Sequence, residues 1–216
     1  VVAVGTYGLV LVNADGTALT PLTRNPDDEA PAWSPDGTAI AFSRAGVSGV
    51  GSRHLVVVQA DGSRLRRLGT IDGTSPAWSP DGKTIAFSSR QDWDTAQPVY
   101  LVNADGSATR HAIELADVDG GFAWSPDGRR IAYSDGGDRA RIRIRSLESG
   151  AITTPAKATF DRAAWLAWSP DGLQIAFVGD ESLRVLDLTR GTTTALAAVG
   201  DLARTAPEWS PDSRRI

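Results

Sequence analysis

The residues able to do chemistry are few and regularly spaced. Histidine occurs twice, at His54 and His111, and cysteine is absent, so thiolate chemistry and disulfides are excluded. Serine recurs at Ser34, Ser79, Ser125, Ser169 and Ser210, each time between a Trp and a Pro-Asp. Nucleophilic catalysis needs one activated hydroxyl beside one base, not five copies of the same hydroxyl. The stretch Gly46–Val50 reads Gly-Val-Ser-Gly-Val; Val50 stands where a nucleophile elbow requires Gly. Neither His has a ligand-like His spacing. No catalytic residue and no cofactor site are therefore expected.

Metal ligation is weighed next. Asn13–Ala18 and Asn103–Ala108 look like fragments of calcium loops, but neither is followed by the later bidentate Glu such a loop needs. Asp-Gly between apolar runs reads instead as a hairpin turn. Acids also precede each Trp motif: Asp27, Asp28, Asp72, Asp117, Asp119, Asp161 and Asp201. A ring of such acids could hold a cation. Asp is equally a loop former, and no metal ligand set is assigned.

Bulk properties narrow the classes. The 216 residues carry 22 Lys and Arg against 26 Asp and Glu, a net charge of −4. That gives no basic footprint for nucleic acid, and no long apolar run suggests membrane insertion. The length suffices for a sizeable core.

These residues must be positioned by a repeat. Trp-Ser-Pro-Asp begins at Trp33, Trp78, Trp124, Trp168 and Trp209, at spacings of 45, 46, 44 and 41. Ile-Ala-Phe or Ile-Ala-Tyr follows at Ile40, Ile85, Ile131 and Ile175. An apolar strand, a turn and a weaker strand complete each unit. Four strands, here termed A to D, at a period of ~40–45 residues predict a β-propeller. The expectation is an all-β, five-bladed propeller of four-stranded antiparallel blades, forming a single domain over 1–216. Blades are expected near 24–68, 69–112, 113–155 and 156–197, with the last formed by 198–216 joined to 1–23. In that last blade the N- and C-terminal strands share one sheet and close the ring.

The quoted units Ala-Trp-Ser-Pro-Asp-Gly-Thr-Ala-Ile-Ala-Phe-Ser (Ala32–Ser43) and their copies resemble the WD40-like PD40 repeat of TolB-type propellers. The resemblance spans all five units. It implies an exported, noncatalytic binding protein, periplasmic or secreted; the same repeat also forms gating propellers of some serine peptidases. TolB-type propellers are expected to have six blades, and this chain shows five.

Function is expected at the end carrying the B–C and D–A loops, which vary in length and content on a repeated scaffold. The candidate partner-binding residues are Tyr7, Asp28, Asp72, Trp93, Asp119, Phe122, Asp161, Trp165, Asp201 and Glu208. The aromatics qualify because they bury much area at little entropic cost. Phe122 and Trp165 are expected just before strand A, and Glu208 replaces the Ala found before the other four motif Trp. Arg139, Arg141, Arg143 and Arg145 form a period-2 stripe, with Asp135, Asp138 and Glu148 as local partners. The expected function is a monomeric scaffold for a protein or peptide. The alternatives are an accessory or gating propeller from a larger hydrolase, or a lectin-like binder of small ligands.

Overall fold

A computed structural model describes residues 1–46, 52–89, 98–113, 121–136, 139–199 and 206–216. The described residues contain strands and turns, and no helix among them is long and apolar enough to cross a membrane. Two units are delimited, Val1–Ile113 and Glu114–Ile216.

The first unit holds three antiparallel sheets. One contains β1 (Val2–Gly5), β2 (Gly8–Leu11) and β3 (Thr20–Pro21). The next contains β4 (Asp28–Trp33), β5 (Ala39–Ala45), β6 (Arg53–Gln59) and β7 (Arg66–Asp72). The third contains β8 (Thr74–Trp78), β9 (Thr84–Ser88), β10 (Val99–Asn103) and β11 (Arg110–Ile113). The second unit holds two more. These are β12 (Phe122–Trp124), β13 (Arg130–Ser134), β14 (Ile142–Ser146) and β15 (Ile152–Thr153), then β16 (Ala163–Trp168), β17 (Gln174–Gly179), β18 (Ser182–Asp187) and β19 (Thr192–Ala198). Every sheet is a meander in chain order, the blade series of a five-bladed propeller.

Two details differ from the expectation. β7 runs on to Asp72 instead of ending near 68. The sheet at the N-terminus has three strands, not four, among the described residues. Residues 206–216 carry the fifth motif turn but no strand.

The turn itself explains why Ser, Asp and Gly recur. Ser34 Oγ donates to Asp36 Oδ1 at 2.6 Å, and that carboxylate accepts the Thr38 amide at 3.1 Å. Ser34 Oγ in turn accepts the Ala39 amide at 2.9 Å. The same bonds recur at Ser79–Asp81, Ser125–Asp127, Ser169–Asp171 and Ser210–Asp212. The residue after Asp is left-handed: φ is 70° at Gly37 and 76° at Gly172. Ser213 takes the same conformation at φ 58°, which disfavours a side chain. Its hydroxyl accepts the Asp171 amide at 3.1 Å, an offset no glycine can supply.

Adjacent sheets within each unit are joined by apolar clusters. Leu9 packs with Ile40, Phe42, Val56 and Val58; Leu55 and Val57 pack with Ile85 and Phe87; Ile142 and Ile144 pack with Phe177 and Trp168. The motif Trp contributes a polar hook as well as bulk. Trp78 Nε1 donates to the Ala32 carbonyl of the preceding sheet at 3.1 Å, and Trp209 Nε1 donates to Ala167 at 3.1 Å. Trp168 departs from this pattern. It is buried beneath the Arg130 guanidinium, 5.0 Å from its ring, and its Nε1 has no partner among the described residues.

A second repeated irregularity shapes strand A. Ladder register slips by one residue between Glu29 and Ala32, Thr74 and Ala77, and Ala164 and Ala167. Within each slip one residue is left-handed: Ala30 (φ 50°), Ser75 (φ 52°) and Trp165 (φ 57°). Gly121 (φ 63°) holds the same place before Trp124. These are β-bulges, which bend the strand and re-aim its side chains.

Two predictions follow from the packing and the turns. Trp78→Ala should lower stability by about 3–5 kcal/mol in urea unfolding, through lost volume and the lost Ala32 hook; wild-type stability would show that the Trp is not structural. The five turn aspartates have pKa values held below 3.8, first by the Ser hydroxyl and then by the backbone amide two residues on. The unfolded chain therefore takes up protons that the folded chain refuses. Their contribution is complete above the unfolded carboxylate value and is lost as pH falls through the lower folded values. The melting temperature should fall below about pH 4, and Asp81→Asn should remove part of that fall.

Candidate functional site

The residues at the B–C and D–A end can be compared row by row, because the register is fixed. In the β4–β7 sheet one row runs Asp28, Arg44, His54, Asp72 across all four strands. At the same level the β16–β19 sheet carries Ala163, Gly179, Ser182 and Ala198. The β8–β11 sheet carries Ser89 opposite Pro98 there. This position is thus charged in the β4–β7 sheet and also in the β12–β15 sheet, where Asp135 lies opposite Arg141, and uncharged in β8–β11 and β16–β19.

The charged row is internally bonded. Asp28 is fully buried, and Arg44 grips it with Nε at 2.6 Å and Nη2 at 2.8 Å. The hydrogen bond to Asp28 raises the already high Arg44 pKa, and the guanidinium lies 5.3 Å from the Phe42 ring centre. Arg53 pairs with Glu29 at 2.9 Å. At the other side of the sheet, His54 Nδ1 meets Asp72 Oδ1 at 2.8 Å, and Ser52 Oγ donates to Asp72 Oδ2. Arg67 approaches His54 Nε2 at 3.4 Å and Asp72 at 3.3 Å. A guanidinium only donates, so it faces an accepting Nε2, and Nδ1–H is left to donate to Asp72. Burial pushes the Asp72 carboxyl up, but bonds from Ser52 and His54 outweigh it and hold its pKa below the ordinary value.

Ser, His and Asp thus meet without forming a triad. The Ser52 hydroxyl donates to Asp72 and not to His54, whose Nε2 faces Arg67, so the three side chains lack the Ser–His–Asp order of a triad. The cluster can present charge and hydrogen-bonding groups; it has no activated nucleophile. No group of three or more metal-ligating side chains forms among the described residues.

Each expected site residue can now be placed. Asp28 and Asp72 share the row. Asp28 is an internal ion-pair partner, not a loop-surface acid, because Arg44 neutralises it inside the sheet. Tyr7 is 80% exposed in the two-residue loop joining β1 to β2. Asp161 is exposed, and its amide donates to Asp180 in the neighbouring B–C turn at 2.9 Å. Phe122 and Trp165 lie inside β12 and β16, not before them, both partly exposed. Glu208 is exposed. Trp93, Asp119 and Asp201 lie outside the described residues. Of the Arg stripe, Arg143 pairs with Asp135 at 2.6 Å, while Ala140, Ile142 and Ile144 face inward. Arg44 and His54 complete the row, Ser52 and Arg67 bond to its Asp72 and His54 end, and none of the four was singled out from sequence as part of it. Their signal was present: where the repeat places Asp28, it places Arg at position 44, and where it has Ala163, it has Gly179.

Sheets of this order define a β-propeller. No protein-family model and no curated protein sequence matches the chain. Solved structures do. TolB from Acinetobacter baumannii superposes with a TM-score of 0.75 at 19% identity, over 95% of this chain and 52% of that one. A TolB-type protein from Agrobacterium tumefaciens gives 0.71 at 23% identity, over 93% and 73%. A Mycobacterium tuberculosis puromycin-hydrolyzing peptidase gives 0.69 at 19%, over 89% of this chain and 34% of that one. The chain therefore has the TolB-like β-propeller fold, and it spans about half the length of the A. baumannii TolB chain.

Removing one partner of a buried pair strands the other. Asp28→Ala should cost about 3–5 kcal/mol in urea unfolding, and the double change with Arg44→Leu should cost less than Asp28→Ala alone. Equal or additive losses would show that the pair does not act as a unit.

Proposed function

We propose that this chain is a noncatalytic scaffold that binds a protein or peptide through the end of its sheets bearing the B–C and D–A loops. The observation carrying this reading is the charged row Asp28–Arg44–His54–Asp72, which stands on one sheet and is absent from the equivalent rows of β8–β11 and β16–β19. A feature needed for folding would recur with the turn that does recur. Exposed aromatic and acidic groups at the same ends of their own sheets, Tyr7 and Asp161, suit a partner with basic and apolar character. Trp93, Asp119 and Asp201 join them in the proposal. The resemblance to TolB-type repeats supports an extracytoplasmic setting. A second reading, an accessory propeller beside a hydrolase, draws on the likeness to the peptidase.

Trp165 offers a test that separates binding from stability. Its left-handed backbone is costly for a bulky residue, by roughly 1–2 kcal/mol. Trp165→Gly should therefore leave the melting temperature level or higher. Photo-crosslinkers at Tyr7, Asp161 and Trp93 should join a partner from an extracytoplasmic extract, and Trp165→Gly should weaken that yield. Crosslinks arising only from the opposite turns, at Asp61 and Asp105, would overturn the choice of face.

A further inference from the structure

The outer strands of the five sheets are not alike. β3 and β15 are two residues long, and β3 ends on Pro21. β7 opens on Arg66 and Arg67 and contains Gly69 at φ 61°; β11 opens on Arg110 and His111. Short length, charge, Pro and irregular backbone are the devices that keep a sheet edge from pairing with other chains. β19 has seven residues, Thr-Thr-Thr-Ala-Leu-Ala-Ala, no charged side chain, and every position exposed except the partly covered Thr193. Its one irregularity is a bulge at Leu196, so Thr192–Ala195 keep a regular ladder with β18 and a regular outer edge. Alternate backbone groups along that edge point away from β18.

A groove of about 680 Å³ lies beside the same strand. Thr192, Thr194 and Leu196 line it from β19, Leu183 and Val185 from β18, and Trp209 and Ile216 from the C-terminal segment. Leu196 is 54% exposed and Ile216 39%. Two arginines and one acid line the groove: Arg190, two residues before β19, pairs with Asp187 at 3.1 Å with its side chain 79% exposed, and Arg214 lines it from the C-terminal segment.

We propose that the β19 edge accepts an extended peptide as a fifth strand of its sheet. The peptide runs antiparallel to β19, with alternate apolar side chains over the groove and acidic residues at its C-terminal end. Main-chain bonding to the edge supplies affinity, and the groove and arginines supply selection, the division of labour in strand addition. Antiparallel pairing carries the peptide C-terminus to the start of β19, beside Arg190. This surface is separate from the loop face, so either reading can fail while the other stands.

The probe is a fluorescein-labelled peptide, Thr-Val-Thr-Val-Thr-Asp-Asp, titrated by anisotropy against the full chain. Saturable binding is expected, weaker by about tenfold when both aspartates are replaced by lysine. Arg190→Glu with Arg214→Glu should invert that preference. Should the charge reversal not fold, Leu196→Lys at an exposed site should abolish binding with an unchanged melt. Hydrogen exchange at the β19 amides that point away from β18 should slow on adding peptide. Absence of saturation, or equal binding of both peptides, overturns the proposal. So does protection of those outward amides before any peptide is added; a dimer by light scattering would then identify a second copy as the occupant.

Discussion

The hydrogen bond from each motif Ser to the Asp two residues on fixes the rest of the structure. It locks the hairpin between the innermost strand and its neighbour, and so sets which residues face each other across the sheet. Ser34 Oγ bonds both the Asp36 carboxylate and the Ala39 amide, so the first pair of the ladder, Trp33 with Ile40, has no freedom to slide. A slip of one residue would turn every side chain to the opposite face. Ser213 shows how strongly the arrangement is held. It keeps the left-handed turn despite carrying a Cβ, and its hydroxyl ties the turn to the Asp171 amide of the turn before.

Fixed register at one end leaves the other end free to differ. The turn end is nearly identical from unit to unit, because each residue there has an obligatory backbone task. At the far end the same ladder positions hold Asp28 and Arg44 in one sheet, and Ala163 and Gly179 in another. The sheet tolerates both, since the charged pair neutralises itself inside the strand pair and the small residues need no partner. A buried ion pair is weak evidence for stability when apolar residues serve the same position elsewhere. In the β4–β7 sheet the Arg53–Glu29 and Ser52–His54–Asp72 contacts lie around it.

Much of this frame was readable in the sequence because turns and inner strands use residues that nothing else replaces. Trp-Ser-Pro-Asp located five units, and Ile-Ala-Phe located the second strands as they stand. Reading failed where an answer depended on register between distant residues. Asp28 looked like a loop acid because its partner, Arg44, is sixteen positions away and meets it only once the hairpin is formed. Phe122 and Trp165 were set before strand A because the bulge three residues ahead of each motif Trp has no residue signature: Ala30, Ser75, Gly121 and Trp165 all occupy it. The text repeat predicts four strands in the sheet at the N-terminus, yet the described residues show three, because pairing belongs to three-dimensional register and not to spelling.

Trp165 joins these threads. A left-handed bulge suits Gly, as at Gly121, and tolerates small residues, as at Ala30 and Ser75. An aromatic there works against the backbone, and it gains no full burial in return, since Trp165 stays partly exposed. The bulge at Gly121 lies against this one: a Cβ on Gly121 would sit 3.5 Å from the Trp165 amide nitrogen, in ordinary van der Waals contact. Strained residues persist where surrounding structure over-determines them, and such positions concentrate at sites of recognition. Local stability alone would favour Gly at that position, as at Gly121, and this is what supports the proposal that Trp165 serves binding.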